Sequence, residues 1–352
     1  MRFELTDDQQ AIQRTAREFL ASRYPAEEVR RLALEDERGF TDEQWTAIAE
    51  LGWPALVVPE DDGGLGLGVV ELCVLQEQLG YALAPTPLLS TVAAALAISA
   101  GGSAEQRAEW LPGLAEGERR ATVAPLYSSL QFDGGAVSGT LEAVPDAAGA
   151  DLLVVPAGHE QVAVVDPGGK GVSVEPADGL DPTRRLSTIV LDGAPSTALG
   201  GGDSAALARA RDAIAVAIAA ESVGVAHRAM EMAVAHARER KQFGQPIGVF
   251  QAVSHPCAQM LLEVEGARSA VLFAAWALDH SPEEAPLAAA MAKAYASDAG
   301  WRVPAAALQV LGGIGFTWEH DLHFWLKRGR ANAAAAGDAR SHRARVADLI
   351  GL

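Results

Sequence analysis

Arg240-Lys241-Gln242-Phe243-Gly244-Gln245-Pro246-Ile247-Gly248-Val249-Phe250-Gln251 is the stretch from which the rest of this 352-residue chain is read. It separates two long Ala-rich runs with helical apolar spacing, so a turn between two buried helices is expected here. Gly244, Pro246 and Gly248 answer the backbone needs of a turn, because Gly permits φ > 0 and Pro fixes φ. Arg240, Phe243 and Gln251 are not needed for that. An Arg at a helix end beside an aromatic ring and amides can hold a phosphate and stack on a flat ring. Arg240 taken alone is equally a cation at a helix C-terminus, facing the dipole.

Outward from this turn, helical patterns dominate the C-terminal side. The run 205–240 has one stripe of Ile214, Ile218, Val225 and Met232 and another of Val216, Val223 and Met230, so it is expected to be buried on more than one side. Further helices are expected over 250–279 and 284–311, with Pro256 and Pro304 kinking them or marking first turns. Toward the N-terminus the character changes. Leu152-Leu153-Val154-Val155, Val162-Ala163-Val164-Val165, Val172-Ser173-Val174 and Leu186 to Leu191 are short apolar runs bounded by Gly, Pro and Asp, which predicts a small antiparallel β domain.

Before that, helices return. Thr6 with Gln9 three residues on forms a capping box, and Thr41 caps the run ahead of Trp45, Ile48 and Leu51. Helices are expected over 69–81, 88–99 and 104–114. The glycines of Gly63-Gly64-Leu65-Gly66 follow Pro59 and three acids that repel a pyrophosphate, so they are read as backbone fitting and not as a dinucleotide loop. The expected fold class is α+β, mostly α. An N-terminal helical domain (1–120) is followed by a small middle β domain (121–200) and a C-terminal four-helix bundle (201–352).

With 49% hydrophobic residues the chain can bury a large core. Its 28 basic and 46 acidic residues give a net charge of −18, which argues against nucleic acid or an anionic membrane as a partner, since both need a basic face. Cys73 and Cys257 lie in apolar helical patterns without metal-ligand spacing and are expected to be reduced core thiols; no metal site is expected. The N-terminus lacks an apolar leader, and a cytoplasmic protein is expected.

Three motifs in this order carry a resemblance to a known family. The first runs from Leu51-Gly52-Trp53 through Val58-Pro59-Glu60 to Gly63-Gly64-Leu65-Gly66, with Glu77-Gln78-Leu79-Gly80 behind it. The second is the Arg240–Gln251 stretch. The third is Gln309-Val310-Leu311-Gly312-Gly313-Ile314-Gly315-Phe316, followed by Arg328. Over nearly its full length the chain resembles the acyl-CoA dehydrogenase family. The resemblance implies a helical–β–helical fold, FAD held at a subunit interface, and α,β-desaturation of an acyl-CoA thioester. Arg240, Phe243 and Gln251 match residues that touch the ADP half of FAD. Gln309, Gly312 and Gly313 match a loop that approaches it from a partner subunit. Thr122, in Thr122-Val123-Ala124-Pro125, matches a strand end that borders the flavin ring. A diphosphate needs a cation and donors, and Gly312 and Gly313 permit a close backbone approach. Aligned on Pro125, however, the family's usual Thr falls at Val123. The longer Gly-Ser-Asp loop and the Trp set against the flavin are missing.

The family's base is a carboxylate that removes the α-proton and needs a raised pKa. Here its commoner position, before a Gly in the loop after the third motif, is Ala336 within Ala333-Ala334-Ala335-Ala336-Gly337-Asp338. Its other position, on the long helix, falls at Ile214. Asp338 is the nearest substitute and is equally a helix N-cap for 339–349. Asp212 sits about 200° around the helix from Ile214, and Glu221 is roughly 10 Å further along. A carboxylate as apolar in its surroundings as Glu221 calls for a buried partner.

Three functions follow from this. The first is an FAD-dependent acyl-CoA dehydrogenase with Asp338 or another, unrecognised acid as base, as a homodimer or homotetramer. Alternatively it is a base-less, FAD- or CoA-binding subunit of a heterotetramer with a related dehydrogenase chain, of the short type that acts on bulky ring-containing CoA esters. The third is a flavin oxidase or monooxygenase on the same fold.

Overall fold

Helix caps start the N-terminal elements where the sequence puts them. In the computed structural model, which describes residues 4–125, 130–157, 161–201 and 204–352, Thr6 and Gln9 form a reciprocal box at the start of α1 (Asp7–Arg23). After α2 (Ala26–Glu35), Thr41 and Gln44 do the same for α3 (Asp42–Glu50). The helices α4 (Val69–Ala82), α5 (Leu88–Gly101) and α6 (Ala104–Ala115) follow. Next come β1 (Ala121–Val123), β2 (Gln131–Phe132), β3 (Ala136–Pro145), β4 (Leu152–Ala157), β5 (Gln161–Val165), β6 (Val172–Ala177) and β7 (Leu186–Ala198). The chain continues as α7 (Ser204–Glu239), the hairpin β8 (Lys241–Gln242) and β9 (Gln245–Pro246), α8 (Gln251–His280), α9 (Ala285–Leu311), α10 (Leu322–Ala334) and α11 (Ala339–Leu349).

The chain packs as two units. One comprises Met1–Arg30, Val69–Ala84 and Ala215–Leu352, the other Arg31–Gly68 and Pro85–Ile214. These units cut across the division at about 120 and 200, which therefore stands as a proposal about the order of modules along the chain.

The second unit holds the β-sheet, in the order β1-β4-β5-β7-β3-β2 with β6 also on β7. The sheet is mixed where an antiparallel one was expected, because β1 pairs β4 in parallel, with Thr122 opposite Leu153. All six residues of β4 are buried. Leu152 and Val154 join a core with Trp110, Leu111 and Leu114 of α6. Leu153 and Val155 join another with Leu141 of β3 and Ile189 of β7. Covering on both faces explains why this strand reads as an unbroken apolar run. Strand β3 is bulged twice, so its buried Val137, Leu141 and Val144 lose the two-residue period by which strands are found.

In the first unit the helices lie backbone against backbone. A Cβ on Gly224 of α7 would fall 1.9 Å from the Glu77 carbonyl oxygen of α4, and one on Gly80 2.1 Å from the Glu221 carbonyl oxygen. No side chain fits at either crossing. Arg268 of α8 ties in α4 through Glu77 at 2.9 Å. By length and composition α7 could cross a membrane, but 83% of its most apolar window is buried within the fold, as in a core helix.

Candidate functional site

The turn between α7 and α8 is a two-residue β-hairpin. Lys241 pairs Pro246 and Gln242 pairs Gln245. Phe243 (φ +52°) and Gly244 (φ +81°) form its tip, both in the left-handed region that such a tight hairpin requires. Left-handed backbone is unfavourable for Phe by about 1–2 kcal/mol, and most of that cost vanishes with Gly or Asn. The Phe243 ring is nonetheless 90% exposed and meets the Phe250 ring edge-on at 5.9 Å. A large apolar side chain held outward in a strained conformation contributes little to this chain's own core. Arg240 is exposed, and its guanidinium has no side-chain partner among the described residues. Its backbone is fixed at both ends, by its N–H to the His236 carbonyl and by the Ile247 N–H to its own carbonyl, each at 2.8 Å. Gln251 opens α8 and is exposed.

The third motif forms the end of α9. Gln309 is exposed on its last turn, and Gly312 caps it with φ +65° and its N–H on Leu308. A Cβ built on Gly312 or Gly313 meets no atom of this chain within 4 Å, so the backbone there faces open space. Helix α9 packs antiparallel to α8, with Gly266 of α8 against Tyr295 of α9, which puts the hairpin before α8 and this loop after α9 at one end of the pair. His236 at the end of α7 is close enough to His320 beyond the loop to help burial hold its imidazole below the ordinary range. Arg240, Phe243, Gln251, Gln309, Gly312 and Gly313 thus share one end of one unit. A cation without a partner, an outward aromatic ring and open glycine backbone fit the ADP half of FAD.

Thr122 belongs to the other unit. It is fully buried on β1, and its hydroxyl donates to the Pro145 carbonyl at 2.6 Å. Its hydroxyl hydrogen is therefore already engaged within the sheet.

At the commoner base position α10 ends at Ala334, and the chain turns through Ala336 (φ +52°) and Gly337 (φ +91°) into α11. Asp338 is the N-cap of α11, its carboxylate accepting the Ser341 N–H at 2.7 Å. It is exposed, and hydrogen bonds from the Ser341 backbone and side chain hold its carboxyl below the ordinary range. A base that must take a carbon-bound proton needs the opposite shift. Ile214 is half-buried on α7, and Asp212 is buried with an interaction of its own. Glu221 has the buried partners its apolar neighbours call for, Arg328 Nη1 at 2.6 Å and Asn332 Nδ2 at 2.9 Å.

Lys293, Asn332 and His342 were not singled out from the sequence. Lys293 lies within Ala288–Ala296 of α9, and a single Lys among alanines at helical spacing was the available signal. A separate groove of about 440 Å³ between α8 and α9 is lined by His255, Gln259, Glu263 and Arg302 among others and contains none of the candidate residues.

Comparisons with known proteins give the family. Residues 6–118 match the family described as acyl-CoA dehydrogenase, N-terminal domain, and residues 205–351 match acyl-CoA dehydrogenase, C-terminal domain. The chain is 33% identical to acyl-CoA dehydrogenase IpdE2 of Mycolicibacterium smegmatis over 328 residues, 93% of this chain and 94% of that one. It is 35% identical to acyl-CoA dehydrogenase FadE34 of Mycobacterium tuberculosis over 334 residues, 92% of this chain but 45% of the other. Among solved structures, the Tcur3481-Tcur3483 steroid ACAD G363A variant superposes with a TM-score of 0.89 at 33% identity, covering 98% of both chains. The ChsE4-ChsE5 complex from Mycobacterium tuberculosis gives 0.90 at 29%, covering 99% of both. With both terminal domains matched and relatives aligned over nearly the whole length, the chain belongs to the acyl-CoA dehydrogenase family.

Proposed function

We propose that this chain is the base-less subunit of a heteromeric acyl-CoA dehydrogenase, holding FAD and completing a site whose proton acceptor lies on a second, related chain. The observation that carries the reading is the state of the two candidate carboxylates Asp338 and Glu221. Ala336 and Ile214 stand at the two base positions. Asp338 is exposed, acidic and occupied as a cap, and Glu221 is locked to Arg328 and Asn332. The reading is supported by two similar structures, Tcur3481-Tcur3483 and ChsE4-ChsE5, each named for two chains, and by FadE34, more than half of which lies outside the match.

When bound, FAD accepts the hydride that leaves the acyl β-carbon. Arg240 supplies the cation for its diphosphate, with Gln251 and Gln309 as amide donors. Phe243 offers a ring face to the adenine, and Gly312 and Gly313 let the backbone approach. Thr122, with its hydroxyl committed to Pro145, contributes through its backbone. The substrate is an acyl-CoA thioester, with the chain working in the cytoplasm.

Expression of the chain alone and together with a base-bearing dehydrogenase subunit tests this. Co-expression is expected to yield a complex containing both chains and stoichiometric flavin. A chain that purifies alone as a yellow oligomer turning over acyl-CoA contradicts it and leaves Asp338 as the base to test.

A further inference from the structure

Beneath the turn at 335–338 lies a polar cluster whose centre, Lys293, is in none of the three motifs. Lys293 of α9 has no exposed surface. Its Nζ donates to Ser297 Oγ at 2.8 Å, the Asn332 carbonyl at 3.2 Å and the Gly337 carbonyl at 2.9 Å. From the other side, His342 Nε2 lies 2.9 Å from the Ala336 carbonyl. Asn332 turns its amide to Glu221, which Arg328 also holds, so the cluster runs from α7 through α10 to the turn.

An apolar side chain would fill the Lys293 position without the penalty of burying an amine. That penalty is visible in the amine itself, which burial pushes down to about 8. Among the described residues no carboxylate hydrogen-bonds to Lys293, and the nearby charge of Asp338 offsets only part of the effect of burial, so a buried ion pair does not account for it. What it does hold is backbone. Ala336 and Gly337 are the two left-handed residues of the turn, and the carbonyl of each has one side-chain partner. A left-handed Ala is disfavoured on its own and needs such holding.

We propose that Lys293 is a positioning residue that fixes the 335–338 turn through its backbone carbonyls, and with it the place of residue 336 and Asp338 in the site. The conformational claim stands on this chain alone; its consequence for catalysis rests on the function proposed above. The charge is not essential to it. A charged amine donates to all three oxygens, whereas a neutral amine donates to the two carbonyls and accepts from the Ser297 hydroxyl. The turn is therefore held on both sides of pH 8.

Hydrogen exchange on the full chain as purified, with its flavin and any subunit that accompanies it, tests the claim. Lys293→Met is expected to speed exchange of the amides at 335–338 about tenfold, leaving the hairpin at 241–246 unchanged. Lys293→Gln, which keeps a donor, should recover part of the protection. The flavin absorption band, read on the same samples, should shift in Lys293→Met and return toward wild type in Lys293→Gln. Wild-type exchange at 335–338 in Lys293→Met overturns the proposal. So does faster exchange spread evenly over α7 to α11, the mark of a merely structural residue. If Lys293→Met does not fold, Lys293→Gln alone decides: protection equal to that of remote amides supports positioning, and uniform loosening refutes it. Exchange is read whether or not the protein turns over, so failure here is separable from failure of the proposed function.

Discussion

Two turns in the same unit share one backbone solution and use it in opposite ways. At the hairpin tip Phe243 and Gly244 are left-handed at +52° and +81°; at the end of α10 Ala336 and Gly337 are left-handed at +52° and +91°. The first turn is fixed by a two-pair hairpin and displays its side chains, a bare Arg240 and a Phe243 almost wholly exposed. The second is gripped from inside by Lys293 and His342 and displays a methyl group. One turn is built to meet something outside the chain. The other is built to stay in place, with an alanine at position 336 and the Asp338 carboxylate occupied as a helix cap. On the function proposed above, that contrast separates holding the cofactor from doing the proton chemistry, with this chain supplying the former.

The largest expected effect is at the network behind the second turn. Glu221→Ala leaves Arg328 buried without its carboxylate, which should cost about 3–5 kcal/mol in denaturant unfolding. Arg240→Ala, at the first turn, should leave stability within about 0.5 kcal/mol. It should weaken FAD binding by roughly ten- to a hundredfold, the range for a charged hydrogen bond, as read by flavin titration. Equal stability losses at the two sites would erase the contrast between them.

Phe243→Gly sharpens it further. Relief of the left-handed Phe should stabilise the fold by about 1 kcal/mol, while loss of the ring should weaken FAD binding roughly fivefold. Opposite signs on stability and affinity are what a residue kept for its ligand should show.

The pH dependence at Lys293 is smaller in the useful range. Burial lowers its amine from 10.5 to about 8, so between those values the unfolded chain binds more protons than the folded one, and stability attributable to this group rises with pH. Below about pH 8 the contribution is constant and at its least favourable. Wild type should therefore gain stability relative to Lys293→Met as pH rises from 8 toward 10.5, measured by paired urea melts. A gap that shrinks over that range contradicts the assignment.

Much of this was legible in the sequence, and the exceptions have physical causes. Thr6 with Gln9, and Thr41, mark helix starts because caps act over three or four adjacent residues. Arg240 and Phe243 stood out because a turn has no use for them. The demand of Glu221 for a buried partner was readable from its apolar neighbours, and Arg328 lies 107 residues away. Strand β3 was hidden by two bulges. The parallel pairing of β1 with β4 is set by tertiary packing that no local pattern records. The left-handed state of Ala336 was hidden for a related reason, since it depends on Lys293, 43 residues earlier, holding a neighbouring carbonyl.

The smallest expected effect belongs to Asp338, and it bears most directly on the central claim. Asn caps a helix about as well as Asp, so Asp338→Asn should change stability by less than about 0.5 kcal/mol. The decisive measurement is anaerobic bleaching of the flavin absorbance on adding acyl-CoA to three samples: the chain alone with FAD, its complex with a base-bearing subunit, and the complex carrying Asp338→Asn. The chain alone should stay yellow, and both complexes should bleach at the same rate. Bleaching of the chain alone, or bleaching of the complex that disappears in Asp338→Asn, would show that this subunit has its own base.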